Sequence, residues 1–138
     1  MLILRLRGFI AHRFVSHGQI DASDTAFIKD HTNEGTRVAV LSQADWLYLL
    51  DARRPSAFYW LPLHLTHSWI LLDRNETNLK SASVIFVEKG YWDILDHWNA
   101  LAFRRLKPIT DRCFVESQST NRWDVLIRGK DPSPACRN

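Results

Sequence analysis

"RVAVLSQADWLYLLDARRP", residues 37–55, is the stretch on which the fold turns. Val38-Ala39-Val40-Leu41 is a short, almost continuous apolar run, the pattern of a strand covered on both faces. Ser42-x-x-Asp45 resembles a capping box with aspartate in the acidic position. Trp46, Leu47, Leu49 and Leu50 then recur as a helical apolar set, which predicts a helix over about 43–52. Pro55 prevents its continuation. Strand, cap, helix and stop is the opening unit of an α/β domain, and such domains often hold a ligand at the strand-to-helix turn.

The flanking sequence extends the pattern. Upstream, "DASDTAFIKDHTNEG" predicts a short helix capped by Ser23 or Asp24, with Gly35 just past its end. Downstream, "SAFYWLPLH" (56–64) reads as a second strand, confined to an edge or ended by Pro62. "THSWILLDRNETNLKSA" (66–82) reads as a helix capped by Thr66 and buried through Trp69, Ile70 and Leu72. "SVIFVEKG" (83–90) reads as the next strand, another short apolar run. Tyr91, Ile94, Leu95, Trp98, Leu101 and Ala102 form one stripe, predicting a single helix over 91–107 that Pro108 ends. "CFVES" and "RWDVLIRG" read as two strands joined by the polar turn 118–121.

Alternating strands and helices predict an α/β three-layer sandwich with a mainly parallel sheet. The last two strands predict a C-terminal antiparallel hairpin at its edge. The expected organisation is a basic amphipathic segment over 1–22, one α/β domain over 23–129, and a flexible tail over 130–138. One domain suits a chain of 138 residues that is 46% hydrophobic and 24% charged.

Composition excludes several functions. The net charge is +3, with basic residues dispersed, so nucleic acid is not an expected partner. No run reaches the ~20 apolar residues of a membrane-spanning helix. The N-terminus, "MLILRLRGFIAHRF", places Arg5, Arg7 and Arg13 among Leu2, Leu6, Phe9, Ile10 and Phe14, with no acid before Asp21. Such a helix either lies on an anionic membrane surface, through Arg5, Arg7, Phe9 and Arg13, or packs on its own domain.

Chemistry-bearing motifs are sparse. The first strand-to-helix turn has no glycine, and neither GxGxxG nor GxxxxGK[ST] occurs, so no nucleotide cofactor is expected. No GxSxG elbow occurs either. Ser42 and Gln43 offer hydrogen bonds at a helix N-terminus, but capping accounts for them. His64 and His67 lack a third ligand, so no metal site is expected. Glu88, Tyr91 and Trp92 cluster where an open α/β sheet binds ligands, an acid beside an aromatic wall. The competing reading makes Glu88 a strand end, Gly90 a turn and the aromatics core. Arg53-Arg54 reads as a solvated pair. Cys113 and Cys136 read as one buried and one loose thiol, with a disulfide as the alternative in an oxidising compartment.

"AFIKDHTNEGTRVAVLSQADWLYLLDARRPSAFYW" (26–60) and "LLDRNETNLKSASVIFVEKGYWD" (71–93) resemble the soluble C-terminal domain of polytopic, lipid-linked-sugar-dependent bacterial glycosyltransferases of the C superfold. The resemblance covers roughly residues 24–129. It implies an extracytoplasmic domain beside a membrane surface or a polytopic partner, in which Cys113 and Cys136 are oxidisable. The catalytic acid of those enzymes lies between transmembrane helices that have no counterpart here, so no catalytic residue carries over. Two functions stand at this point. One is a non-catalytic accessory or detached domain of that kind. The other is a stand-alone, cytoplasmic α/β enzyme or ligand-binding module with a site around Ser42, Gln43, Glu88, Tyr91 and Trp92.

Overall fold

A computed structural model describes residues 22–42, 48, 52–55, 57, 69–130 and 133–137. The helices are α1 (Ala22–Asp30), α2 (Trp69–Ser81), α3 (Tyr91–Trp98) and α4 (Ala100–Cys113). The strands are β1 (Val38–Leu41), β2 (Val84–Glu88), β3 (Phe114–Ser119) and β4 (Trp123–Arg128). The protein is a mixed α/β fold on one four-stranded sheet of order β1-β2-β4-β3.

β1 and β2 pair in parallel, Val38 opposite Val84 and Leu41 opposite Val87. On its other side Val38 donates to the Pro55 carbonyl (3.1 Å) and accepts from the Ala57 amide (2.9 Å). All four β1 residues are buried, as their unbroken apolar character requires. The rest of the strand predicted over 56–64 lies outside the described residues.

The sheet is not mainly parallel. β4 runs antiparallel to both β2 and β3, leaving one parallel pair among the described strands. The cause is where β4 goes. β1, β2 and β3 all point the same way, as strands linked by helices should. β3, however, is left one strand-width from β2, and β4 returns into that gap instead of extending the edge. β4 suits the inner place: Trp123 and Val125 are buried, whereas five of the six β3 residues are exposed. A register shift between Glu116 and Gln118 interrupts the outer strand.

Alternate strand residues feed two cores. Ala39, Leu41, Ile85 and Val87 join Leu72 and Leu79 of α2, Leu95 of α3 and Leu106 of α4. Val38, Val40, Phe86, Trp123 and Val125 join Ile28 of α1 with Tyr48 and Ala52. Arg105 of α4 pairs with Asp73 and Glu76 of α2, fastening those helices across their exposed seam.

The helix predicted over 91–107 is two helices. Asn99 breaks it with a non-helical backbone (φ −151°, ψ 75°), and its side-chain oxygen accepts from the Ala102 amide at 3.2 Å, capping α4. Pro108 does not stop α4, which runs on to Cys113. The proline removes the bond to the Arg104 carbonyl, on an exposed face of the helix. Leu106, Thr110 and Cys113 stay buried on either side of it. Gly90 makes the β2–α3 turn as expected, at φ 85°, a conformation that glycine adopts without a Cβ penalty.

The two cysteines are joined. Cys113, ending α4, bonds Cys136 in a short 3-10 turn, Pro134–Cys136, and both are buried. The loose thiol expected at Cys136 is corrected by this bond, and residues 133–137 are held rather than free. Arg128 donates to the Cys136 carbonyl (2.9 Å), and Arg112 to the Ser133 hydroxyl (3.1 Å). Arg54 is not solvated either. Its guanidinium donates to the Thr32 hydroxyl (2.7 Å) and carbonyl (3.3 Å), clamping the chain beyond the C-terminal end of α1.

Candidate functional site

The carboxyl end of β2 and the amino end of β4 meet at one sheet edge, because Glu88 is in register with Trp123. Arg122, just before β4, sits between two carboxylates and two rings. Its guanidinium is 2.9 Å from Asp24 Oδ2 of α1 and 3.7 Å from Glu88 Oε1. It donates to the Tyr48 hydroxyl and lies 5.7 Å from the Tyr48 ring centre and 5.6 Å from that of Trp123. Trp123 Nε1 donates to the other Asp24 oxygen at 3.1 Å. Four segments that are distant in sequence are thus tied through one arginine, whose planar fork suits several acceptors at once.

The electrostatics follow from two acids sharing one cation. Burial pushes the Glu88 carboxyl above its ordinary value, the Arg122 charge opposes this, and the Asp24 charge adds to it. Asp24 holds the shorter bond to Arg122, which leaves Glu88 the looser partner. The raised carboxyl has a definite consequence for stability. Below about 4.5, the ordinary value, Glu88 is protonated in folded and unfolded chains alike. As pH rises, the unfolded chain ionises first, so the Glu88 contribution to stability is lost as pH climbs through the folded value. A Glu88→Gln variant has no such loss. Urea unfolding from pH 4 to 7.5 should show the native chain losing ground to the variant as pH rises. A constant difference between them would show that burial does not perturb Glu88.

The sequence-predicted residues do not converge on this site. Glu88 belongs to it. Ser42 is buried at the end of β1, and Gln43 lies outside the described residues. Tyr91 is buried in the α2–α3–α4 core on the opposite sheet face. Trp92, half-buried on that same face, lines a groove of about 290 Å³ with Lys107, Asp111, Glu116 and Asp124 around an apolar floor. The aromatics and the acid are therefore separated by the sheet: Val87 and Glu88 point to opposite faces. Asp24, Tyr48, Arg122 and Trp123 were not singled out by sequence reasoning. They share no local spacing, and Asp24 already had an explanation as a cap.

Arg5, Arg7, Phe9, Arg13, His64 and His67 lie outside the described residues. Among the described residues, no group of three His, Cys, Asp or Glu is placed to hold a metal ion. Among them also, no helix is long and apolar enough to cross a membrane. Comparison of the chain with protein-family models, curated proteins and solved structures finds no match.

Proposed function

We propose that this chain is a non-catalytic accessory or detached domain, resembling the extracytoplasmic part of a membrane glycosyltransferase and acting at a membrane surface. The observation that supports it is the buried Cys113–Cys136 disulfide. Such bonds persist in oxidising compartments and are rare in the cytosol. The Asp24–Glu88–Arg122 cluster favours the non-catalytic part, since its charged groups are engaged with one another. In this reading α1 on one face of the sheet and α2, α3 and α4 on the other form the outer layers of a three-layer sandwich, with β3 and β4 as its C-terminal hairpin. Residues 2–14 provide the contact with anionic lipid.

Two measurements test this. Thiols are trapped with an alkylating agent during rapid lysis of the native cells, and the chain is analysed by mass. Protected cysteines that become alkylated only after reduction support the extracytoplasmic reading, and alkylation before reduction overturns it. Flotation with anionic liposomes then compares the native chain with an Arg5→Glu, Arg7→Glu, Arg13→Glu variant. Flotation by the native chain alone supports the membrane role, and equal behaviour removes the segment as anchor. The Glu88 site sustains a second reading, a ligand-binding module at the strand ends, because a partly buried carboxyl with a raised pKa is a common feature of functional sites.

A further inference from the structure

The geometry points to the groove between α3, α4 and the β3–β4 face as a binding site for a small organic cation, a primary ammonium on a short apolar body. It lies on the opposite sheet face from Glu88 and does not depend on the membrane reading.

The groove, about 290 Å³, is near the small end of ligand pockets. Its floor is apolar: Val87, Phe114 and Leu126. One wall is the Trp92 ring, held in orientation by edge-to-face contacts with Tyr91 (5.8 Å) and Phe103 (6.2 Å). That ring already receives a cation. The Lys107 ammonium lies 5.5 Å from its centre and is ion-paired with Asp111. An aromatic face next to a carboxylate is a setting that attracts ammonium groups.

The charge around the groove is unbalanced in the same sense. Asp124 takes the Lys89 ammonium (2.9 Å) and the Ser119 hydroxyl (2.8 Å). Glu116, exposed on β3, lines the same groove and is in no ion pair among the described residues. The groove mouth therefore carries two acids, of which only Asp124 is paired with a lysine. A metal ion does not fit this excess, since no described trio of carboxylates converges on one point. A ligand with its charge at one end and an apolar body does fit. Its ammonium lies by Glu116 or replaces that of Lys107 over Trp92, and its body covers the floor.

The test is a nitrogen-15 NMR titration of the full chain with phenethylamine and with neutral 2-phenylethanol. The Trp92 indole resonance is identified by its loss in Trp92→Phe. Phenethylamine should shift it saturably, with a Kd of about 1 mM. Glu116→Gln, at an exposed position, should weaken binding about three-fold. Lys107→Met, which removes the resident ammonium, should tighten it about three-fold. The proposal fails if neither probe saturates, if the alcohol binds as well as the amine, or if Lys107→Met abolishes binding. A blocked Ala-Lys-Ala peptide that binds more tightly than phenethylamine also overturns it, in favour of a lysine on a protein partner.

Discussion

Trp123→Ala is expected to destabilise the fold by about 3–5 kcal/mol, the cost of emptying a buried aromatic site. Among the described residues Trp123 is the largest fully buried side chain, 2% exposed at the centre of the α1-side core. Its ring meets Tyr48 at 5.2 Å and Phe86 at 6.4 Å, both edge-to-face. Its indole N–H also satisfies one oxygen of the nearly buried Asp24. Total stabilities of single domains are about 5–15 kcal/mol, so this loss takes a large share of the whole. Trp123→Phe separates the two roles. It keeps most of the volume but removes the donor, and should cost about 1–3 kcal/mol. Trp98, 65% exposed, is the control, and its alanine variant should stay within about 0.5 kcal/mol of the native chain. Urea unfolding monitored by far-ultraviolet circular dichroism provides all three values. A Trp123→Ala chain as stable as the Trp98→Ala chain would show that the core is not built around this ring.

Loss of the disulfide should be the other large effect. Cys113 and Cys136 are 23 residues apart. Closing a loop of that length removes unfolded-chain entropy worth about 3 kcal/mol. The melting temperature should fall by roughly 10 °C on reduction or in Cys136→Ser. The effect should be localised as well. Arg128, which donates to the Cys136 carbonyl, also bonds the carbonyls of Lys80 and Ala82. Release of the tail should therefore raise hydrogen exchange at the C-terminal end of α2 and the end of β4 before β1. Melting temperatures within about 2 °C of one another would mean that the tail adds nothing to the fold.

Much of the molecule was legible locally. Val38–Leu41 and the strand at Val84–Glu88 were readable from their apolar runs, the pattern of buried, parallel-paired strands. Gly90 was readable as a turn and Phe114–Ser119 and Trp123–Arg128 as strands, because these signals lie within a few residues of one another. The break at Asn99 was not legible, because the apolar stripe runs through it. Only the cap formed by its side chain distinguishes two helices from one. Pro108 misled for the opposite reason. Its local penalty is real, but burial of Leu106, Thr110 and Cys113 outweighs it.

By itself the sequence determined that β1 to β4 are strands and that α1 and α2 are helices, because hydrophobic periodicity is a property of neighbours along the chain. It also determined that the turn after β1 lacks the glycine needed for close approach to a phosphate. The tertiary structure alone decided where β4 goes, that Cys136 reaches Cys113, and that Asp24, Glu88 and Arg122 share one edge while Trp92 faces away from them. Each of these joins residues 23 or more positions apart or selects among strand orders with equivalent local patterns. The choice rests on packing: β4 has buried residues for the gap between β2 and β3, and β3 has the exposed ones for the rim.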